Sequence, residues 1–265
     1  MSKELTASMT QEERLNHLIR YLLSERKEYA DICVPDDLSE KRRLLRGLMN
    51  VRPPMPVSGE FLAVQDAYLQ ERLIERGITR LQDLTPVQPG LYIWQGDITT
   101  LCVDAIVNAA NSRMLGCFVP CHGCIDNAIH TYAGVQLRLE CADIMAAQKE
   151  DEPTGHAKLT KAYNLPCSYV LHTVGPIIYG AVTKNDRELL AGCYRSCLEL
   201  AAEHGLHSLA FCCISTGEFH FPNELAAEIA IHTVTEWQQQ DPGKIEVIFN
   251  VFKDSDYEIY KRLLR

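Results

Sequence analysis

The densest group of chemically useful side chains lies between residues 116 and 126. Three thiols and one imidazole fall within eight residues: Cys117, Cys121, His122 and Cys124. Thiolate and imidazole are the ligands that zinc prefers; three of them leave an open position for water or substrate, whereas four make a closed structural site. The alternative is a set of thiols packed as small hydrophobic side chains beside a solvated histidine.

A carboxylate and two amides flank this group. Asp126 comes two residues after Cys124, and Asn108 and Asn111 end an apolar run just upstream. A carboxylate can orient or deprotonate water, and an Asn side chain offers a donor and an acceptor to sugar hydroxyls. An Asn-terminated turn explains the amides equally well. Metal ligands, amides and an acid so close together nevertheless indicate an active site.

Two further segments follow predicted strands. Asp97 follows the first predicted strand, where its carboxylate can accept a hydrogen bond from an adenine amino group or can cap a turn. Residues 214–222 join a buried strand to a helix, and successive backbone amides in such a loop can hold a diphosphate without Lys or Arg. A plain connection between strand and helix is the alternative for this loop.

Composition limits the class of protein. The chain has 265 residues, a hydrophobic fraction of 46% and a formal net charge of −9. This length can bury a full α/β core, and the negative charge argues against a broad grip on nucleic acid. No apolar run is long enough to span a membrane, and the first residues lack a signal-peptide core. The eleven cysteines therefore indicate reduced thiols, and we expect a cytoplasmic protein.

The predicted secondary structure changes near residue 89, from helices alone to alternating strands and helices. Residues 1–88 predict amphipathic helices; the first two starts carry the capping patterns Thr10 with Glu13 and Asp37 with Glu40. A third helix is predicted to end near Gly77. We expect this N-terminal helical extension to cover the following domain or to bind a partner.

From residue 89 to 265, short β-like runs alternate with helices. Strands are predicted at residues 91–94, 104–107, 158–164, 169–174, 208–214 and 245–251. Helices are predicted at residues 126–148, 185–203 and 222–237, with a last one capped by Asp254. Such alternation predicts a mostly parallel sheet covered on both faces, with ligands bound at the carboxyl ends of the strands.

Six segments, in order along the chain, resemble the macrodomain family: Gly96–Thr99, Asn108–Ser112, Ile125–His130, Thr154–Ala157, Val170–Pro176 and Ser215–Gly217. The resemblance covers about residues 90–265 and is closest to the MacroD-type ADP-ribosyl hydrolases. It implies an α/β fold, a three-layer α/β/α macrodomain with a mixed, mostly parallel central sheet. In the MacroD type, a short glycine-rich loop stands where this chain has the longer segment from Cys117 to Cys124.

That longer segment resembles the zinc-containing macrodomains of microbes, which also carry an N-terminal helical extension. Those proteins are linked to a sirtuin that ADP-ribosylates a lipoyl-carrier protein. The resemblance implies one zinc ion bound by Cys117, His122 and Cys124, with Cys121 outside the set. It also implies that Asp126 and Asn111 are the catalytic residues.

The same resemblance implies an ADP-ribose site. Asp97 and Ile98 would hold the adenine, and Asn111 would contact the distal ribose. The diphosphate and that ribose would be wrapped by one loop, formed by Ser215, Thr216, Gly217, Glu218 and Phe219.

The implied function is a zinc-dependent protein-ADP-ribose hydrolase. It would remove mono-ADP-ribose from a protein side chain, an acidic residue of a lipoyl-carrier protein. Two alternatives are a non-catalytic ADP-ribose reader, whose structural zinc would take Cys121 as fourth ligand, and an O-acetyl-ADP-ribose deacetylase. For the N-terminal helices, the hypothesis is that they shield the sheet and help to recognise the modified protein.

Overall fold

The N-terminal part of the protein is helical. The computed structural model describes residues 8–240 and 245–265; the predicted lack of a signal-peptide core concerns residues 1–5, which lie outside these ranges. The helices of the extension are α1 (Gln11–Ser24), α2 (Leu38–Val51) and α3 (Gly59–Arg76). Their apolar faces form one hydrophobic cluster, which includes Leu18, Leu45 and Phe61.

The starts of these helices follow from local hydrogen bonds. The Thr10 hydroxyl accepts from the backbone N–H of Glu13, whose carboxylate in turn accepts from the Thr10 N–H, so the predicted capping box is present. The Asp37 carboxylate caps α2 by accepting from the Glu40 N–H at 2.9 Å. Gly77, with φ of +83°, ends α3 as predicted.

The central sheet is mixed and mostly parallel. Its strands are β2 (Leu91–Gln95), β4 (Ala105–Ala110), β5 (Ala157–Lys161), β6 (Tyr169–Val174), β7 (Ser208–Phe211) and β8 (Glu246–Val251). Their order is β2-β8-β7-β4-β6-β5, and β5 alone of these strands is antiparallel to its neighbour. Two short parallel strands, β1 (Thr79–Arg80) and β3 (Leu101–Cys102), pair beside it. Buried runs in the central strands are what a parallel sheet covered on both faces requires.

Helices cover the sheet and complete the predicted three layers. They are α4 (Ile125–Ala133), α5 (Val135–Gln148), α6 (Lys184–Glu203), α7 (Asn223–Gln240) and α8 (Asp254–Leu263). Helices α6, α7 and α8 pack side by side, whereas α4 packs with α5 and also contacts α2 of the extension. The predicted α/β fold class is therefore confirmed.

The predicted helix over residues 126–148 is wrong, because the chain turns sharply at Gly134 and forms α4 and α5 instead. Gly134 has φ of +97°, a conformation that residues with a Cβ rarely adopt. A Cβ at this position would also lie 2.6 Å from the Gln65 side chain of α3. The Gln65 Oε1 accepts from the backbone N–H of Val135 at 3.0 Å, which satisfies the first donor of α5.

Other differences concern element ends. Strand β4 continues to Ala110, so Asn108 lies inside the strand instead of after it. The last helix is preceded by Lys253 as its cap residue, and Asp254 is its first helical residue. All eleven cysteines are free thiols, as expected. Within the described ranges, none of the helices is long and apolar enough to cross a membrane.

Candidate active site

The predicted site segments meet at one edge of the sheet. Asp97 follows β2, Asn111 follows β4, and residues 212–222 follow β7. Because these strands are parallel, their carboxyl ends point the same way, and the intervening order β2-β8-β7-β4 brings the loops together. The structure thus places these sequence-predicted segments at the same edge of the sheet.

Asp97 is held at the end of β2 by two partners. Its Oδ1 accepts hydrogen bonds from the backbone N–H and hydroxyl of Thr99, at 3.0 and 2.6 Å. Its Oδ2 accepts from the Arg76 guanidinium of α3 at 2.9 Å. The side chain of Arg76 also lies 3.6 Å above the ring of Tyr132. The Asp97 carboxylate is therefore oriented from both sides, while 39% of its side chain is exposed.

The catalytic candidates Asp126 and Asn111 are in direct contact. Asp126 is 5% exposed and lies in the first turn of α4, where the helix dipole favours negative charge. Its Oδ1 accepts from the Asn108 amide at 2.8 Å and its Oδ2 from the Asn111 amide at 3.3 Å. The Asn111 amide also donates to the Gly116 carbonyl at 3.3 Å. The paired amides predicted near the cluster therefore fix the orientation of the acid.

Burial sets the protonation behaviour of this group of side chains. It raises the pKa of Asp126 to about 6, against the opposing effects of the hydrogen bond from Asn108 and the charge of Arg138. The pKa of His130, whose Nε2 lies 3.6 Å from Asp126 Oδ1, is well below its usual value because the ring is fully buried. His130 is consequently a neutral imidazole beside the carboxyl group.

The three predicted metal ligands converge. Ligand atoms of Cys117, His122 and Cys124 all lie within 4.8 Å of one another. The Cys117 Sγ is 3.7 Å from His122 Nδ1; tetrahedral zinc with ordinary bond lengths separates such atoms by about 3.6 Å. Burial raises the pKa of Cys124 to about 12, and a bound cation would favour the thiolate at this position. The donor set and its spacing therefore fit zinc.

Cys121 is directed away from these ligands. Its Sγ lies 3.3 Å from the carbonyl oxygen of Arg43 in α2, and its backbone N–H donates to Asn50 Oδ1 at 2.9 Å. Its φ of +54° places it in the left-handed region, where the loop reverses direction. A set of three protein ligands without Cys121 is consistent with this arrangement.

The loop after β7 borders the candidate metal site. The Glu218 Oε1 lies 3.6 Å from Nε2 of His122. The other imidazole nitrogen, Nδ1, is the one that lies near Cys117. Such an outer carboxylate orients a metal-binding histidine. Residue 218, predicted from the resemblance as an ADP-ribose contact, thus also lies beside a predicted ligand.

Backbone donors in this loop are free for an anion. Within the described chain, the N–H groups of Gly217, Glu218 and Phe219 make no hydrogen bonds, whereas the Phe219 carbonyl accepts from the Ile178 N–H at 2.9 Å. Ser215 is buried with φ of +63°, and its hydroxyl has no partner among the described residues. Gly175 is required here, since a Cβ would lie 2.0 Å from the Ser215 hydroxyl. Thr216 donates its hydroxyl to the Cys213 carbonyl, which fixes the turn.

Sequence reasoning missed several residues that lie next to the predicted site segments. Arg76 and Asn50 belong to the extension, and no local motif marks them. Phe252 is 76% exposed directly after β8, next to Val251, whose carbonyl accepts from the Gly96 N–H at 3.1 Å. The sequence marks Asn108 as an amide near the cluster, but it does not predict the hydrogen bond from Asn108 to Asp126. An exposed aromatic residue after a buried strand is the one signal that could have been found.

Comparisons with known proteins agree with this architecture. The Macro domain family model matches residues 107–230. A protein-ADP-ribose hydrolase from Treponema medium is 58% identical over 260 residues, which cover 97% of this chain and 100% of the relative. Another, from Staphylococcus aureus strain Mu50, is 51% identical over 253 residues, with 95% of both chains covered.

A solved structure extends the similarity to the fold. The Trypanosoma brucei macrodomain in complex with ADP-ribose matches with a TM-score of 0.65 at 32% identity, covering 83% of this chain and 95% of that one. The chain therefore belongs to the macro domain family, as the sequence motifs predicted. Membership of the zinc-containing, sirtuin-linked group stays a prediction.

Proposed function

We propose that this protein is a zinc-dependent protein-ADP-ribose hydrolase that removes mono-ADP-ribose from a protein side chain. The hydrolase class expected from the sequence is confirmed by relatives of 51–58% identity that carry the name protein-ADP-ribose hydrolase. The observation that carries the zinc proposal is the convergence of Cys117, His122 and Cys124, whose ligand atoms lie within 4.8 Å of one another. Cys124 is also only two residues before the buried Asp126.

ADP-ribose would lie across the carboxyl ends of the strands. Asp97 and the Ile98 backbone would hold the adenine, with the exposed ring of Phe252 as a stacking face. The free N–H groups of the loop from Ser215 to Phe219 would bind the diphosphate. Asn111 would contact the distal ribose.

The reaction would be hydrolysis at the anomeric carbon of that ribose. The oxygen of water forms a bond to this carbon, the bond to the side-chain carboxylate oxygen breaks, and the carboxylate leaves. Asp126, oriented by Asn108 and Asn111, would direct the water and accept its proton. Zinc would supply Lewis-acid polarisation of a ribose or acyl oxygen. The zinc ion would be held by His122, which Glu218 orients, and by the thiolates of Cys117 and Cys124.

We further propose an acidic residue of a lipoyl-carrier protein, modified by a linked sirtuin, as the substrate. This part rests on the resemblance of the segment from Cys117 to Cys124 to sirtuin-linked macrodomains. In this proposal the substrate protein would contact two exposed side chains: Val119 (55%) in that segment, and Tyr179 (92%), next to Ile178, whose N–H donates to the Phe219 carbonyl.

Ligand variants test the proposal. Cys117→Ala, His122→Ala and Cys124→Ser should lose zinc, and their turnover of a mono-ADP-ribosylated carrier protein should fall at least about 100-fold. Serine is chosen at 124 because the Cys124 Sγ caps α4 by accepting from the Asn127 N–H. Cys121→Ala is the matched control and should keep both zinc and turnover. Metal content and release of ADP-ribose are measured on the same preparations.

Three outcomes would contradict the proposal in different ways. Loss of zinc in Cys121→Ala would favour a four-ligand structural site and a reader. Full turnover by zinc-free variants would remove zinc from the mechanism. Turnover of O-acetyl-ADP-ribose without turnover of the modified protein would replace the substrate.

A further inference from the structure

The candidate metal loop, residues 115–124, is tied to α2 of the extension through Asn50. Asn50 is 1% exposed. Its Oδ1 accepts from the Cys121 N–H at 2.9 Å, and its amide donates to the Thr131 hydroxyl of α4 at 2.9 Å. Both ends of a buried amide are thus used to join α2, the loop and the helix after it. Because Cys121 has a left-handed backbone next to His122, this bond fixes the chain where it turns toward a ligand.

Arg46, one turn earlier on α2, makes a second connection. Its guanidinium donates to Asn127 Oδ1 at 2.8 and 3.2 Å and to the His122 carbonyl at 2.9 Å. Asn127 in turn donates its amide to the Val119 carbonyl at 3.0 Å. The Arg46 side chain therefore holds the backbone of a predicted ligand, His122. It also holds Asn127, which bonds to the middle of the loop.

A third connection runs in the opposite direction, from the macrodomain to the extension. Arg138 of α5 donates to the carbonyls of Met49, Asn50 and Arg52 at the end of α2, and also to the Leu115 carbonyl where the loop begins. Its guanidinium lies 4.3 Å from the centre of the Phe118 ring. The end of α2 and both halves of the loop consequently form one hydrogen-bonded unit.

We propose that α2 is a structural part of the metal site, and that Arg46 and Asn50 are positioning residues for the zinc ligands. This inference rests on the proposed function, because it assumes that Cys117, His122 and Cys124 bind zinc. Neither residue is a ligand; both act by fixing the backbone on either side of His122. Loss of such outer contacts typically weakens metal binding about 10- to 100-fold.

The test is the zinc affinity of the full-length protein, measured by competition with a chromophoric chelator. Arg46→Met and Asn50→Leu should each raise the zinc dissociation constant about 10-fold or more, and Arg46→Lys should lie between Arg46→Met and the wild type. Arg42→Met is the matched control: Arg42 lies on the same helix but pairs with Glu75 of α3, away from the loop. It should bind zinc as the wild type does.

A second readout separates positioning from general stability. Zinc that binds only the folded state raises Tm, and the rise shrinks as affinity falls. Arg46→Met should lower this zinc-dependent rise while the zinc-free protein melts close to the wild type. If Asn50→Leu fails to fold, the half-buried Arg46 still decides the question.

The outcomes distinguish the two proposals. A wild-type protein that binds no zinc overturns the proposed metal site. A wild-type protein that binds zinc, with Arg46→Met binding it equally tightly, overturns the role of α2 alone.

Discussion

The buried Asp126 carboxylate is fixed by a chain of side chains that reaches across the sheet. Asn108, which donates to it, also lies 3.1 Å from Nδ1 of His172 on the neighbouring strand β6. The Nε2 of His172 is 2.9 Å from the Thr160 hydroxyl of β5. Since each group is buried, rotation of any one would leave polar atoms without partners. The acid is therefore preorganised before a substrate binds.

Asp126→Asn should abolish most of the turnover and leave ADP-ribose binding nearly intact. The amide keeps the shape of the side chain, but it cannot accept a proton from water. We expect turnover of a mono-ADP-ribosylated protein to fall about 10²- to 10⁴-fold, while the Kd for ADP-ribose, measured by calorimetry, changes less than about threefold.

Asp143→Asn, on the exposed face of α5, is the control and should behave as the wild type. If Asp126→Asn keeps wild-type turnover, Asp126 is not the catalytic base of this site.

Two buried histidines should make the stability of the fold depend on pH. Burial lowers the pKa of His172 to about 3 and the pKa of His130 well below its usual value. In the unfolded chain both imidazoles titrate near pH 6.5, so below that pH the unfolded state binds more protons. Their contribution to stability is therefore complete above about pH 6.5 and is lost as the pH falls toward 3.

Urea unfolding between pH 7 and 4.5 measures this effect. Each buried histidine adds a slope of up to about 1.4 kcal/mol per pH unit to the free energy of unfolding. His172→Gln should reduce the slope, although it also lowers stability at neutral pH. His232→Gln is the control, because 73% of its side chain is exposed, and it should leave the slope unchanged. An unchanged slope in His172→Gln would contradict the assignment.

Among the elements, α3 of the extension reaches the candidate adenine site through Arg76. This side chain donates to Asp97 Oδ2 and to the Thr99 hydroxyl, at 2.9 and 2.8 Å. A carboxylate oxygen has two lone pairs, so Asp97 can keep Arg76 and still accept from an adenine amino group.

Arg76→Met should therefore weaken ADP-ribose binding about 3- to 10-fold, which corresponds to the loss of about one hydrogen bond. Calorimetry with free ADP-ribose measures the change. Arg72→Met, one turn earlier and paired with Glu75, should bind as the wild type does. Tighter binding by Arg76→Met would mean that Arg76 competes with the adenine instead of orienting Asp97.

The elements predictable from sequence were those with local signals. Capping residues at Thr10 and Asp37 marked two helix starts, and Gly77 marked an end. The break at Gly134 was missed because apolar spacing continues across it, and a single glycine inside a helical pattern does not reveal a positive φ. That conformation is held by Gln65, which is 70 residues away from Val135 in sequence.

The candidate site likewise combines residues that local segments predict with contacts that they do not predict. Asp97, Asn111, Asp126 and the loop after β7 belong to short segments, and the strand pattern was enough to bring them together. The contacts of the extension could not be predicted, because Asn50 and Cys121 are separated by 71 residues. The hypothesis that the helices shield the sheet and help to recognise the modified protein does not include their contacts with the candidate metal loop and with Asp97.

At the scale of the whole molecule, the proposed binding of an anionic ligand has to be compatible with a negative net charge. The formal net charge is −9, yet the loop after β7 has backbone N–H groups that make no hydrogen bonds within the described chain. Such donors are local and add no net charge, so they favour a bound diphosphate without attracting nucleic acid generally. Separate hydrophobic clusters lie in the extension and around the sheet; the division into residues 1–88 and 89–265 stays a prediction.

The most direct test of the account follows one preparation of wild-type protein through zinc removal and zinc return. Release of ADP-ribose from a mono-ADP-ribosylated carrier protein is measured in single turnover, together with bound zinc. We predict about one zinc per chain at Cys117, His122 and Cys124, loss of release on chelation, and recovery when zinc is restored. Undiminished release from a folded, zinc-free protein would contradict the central claim.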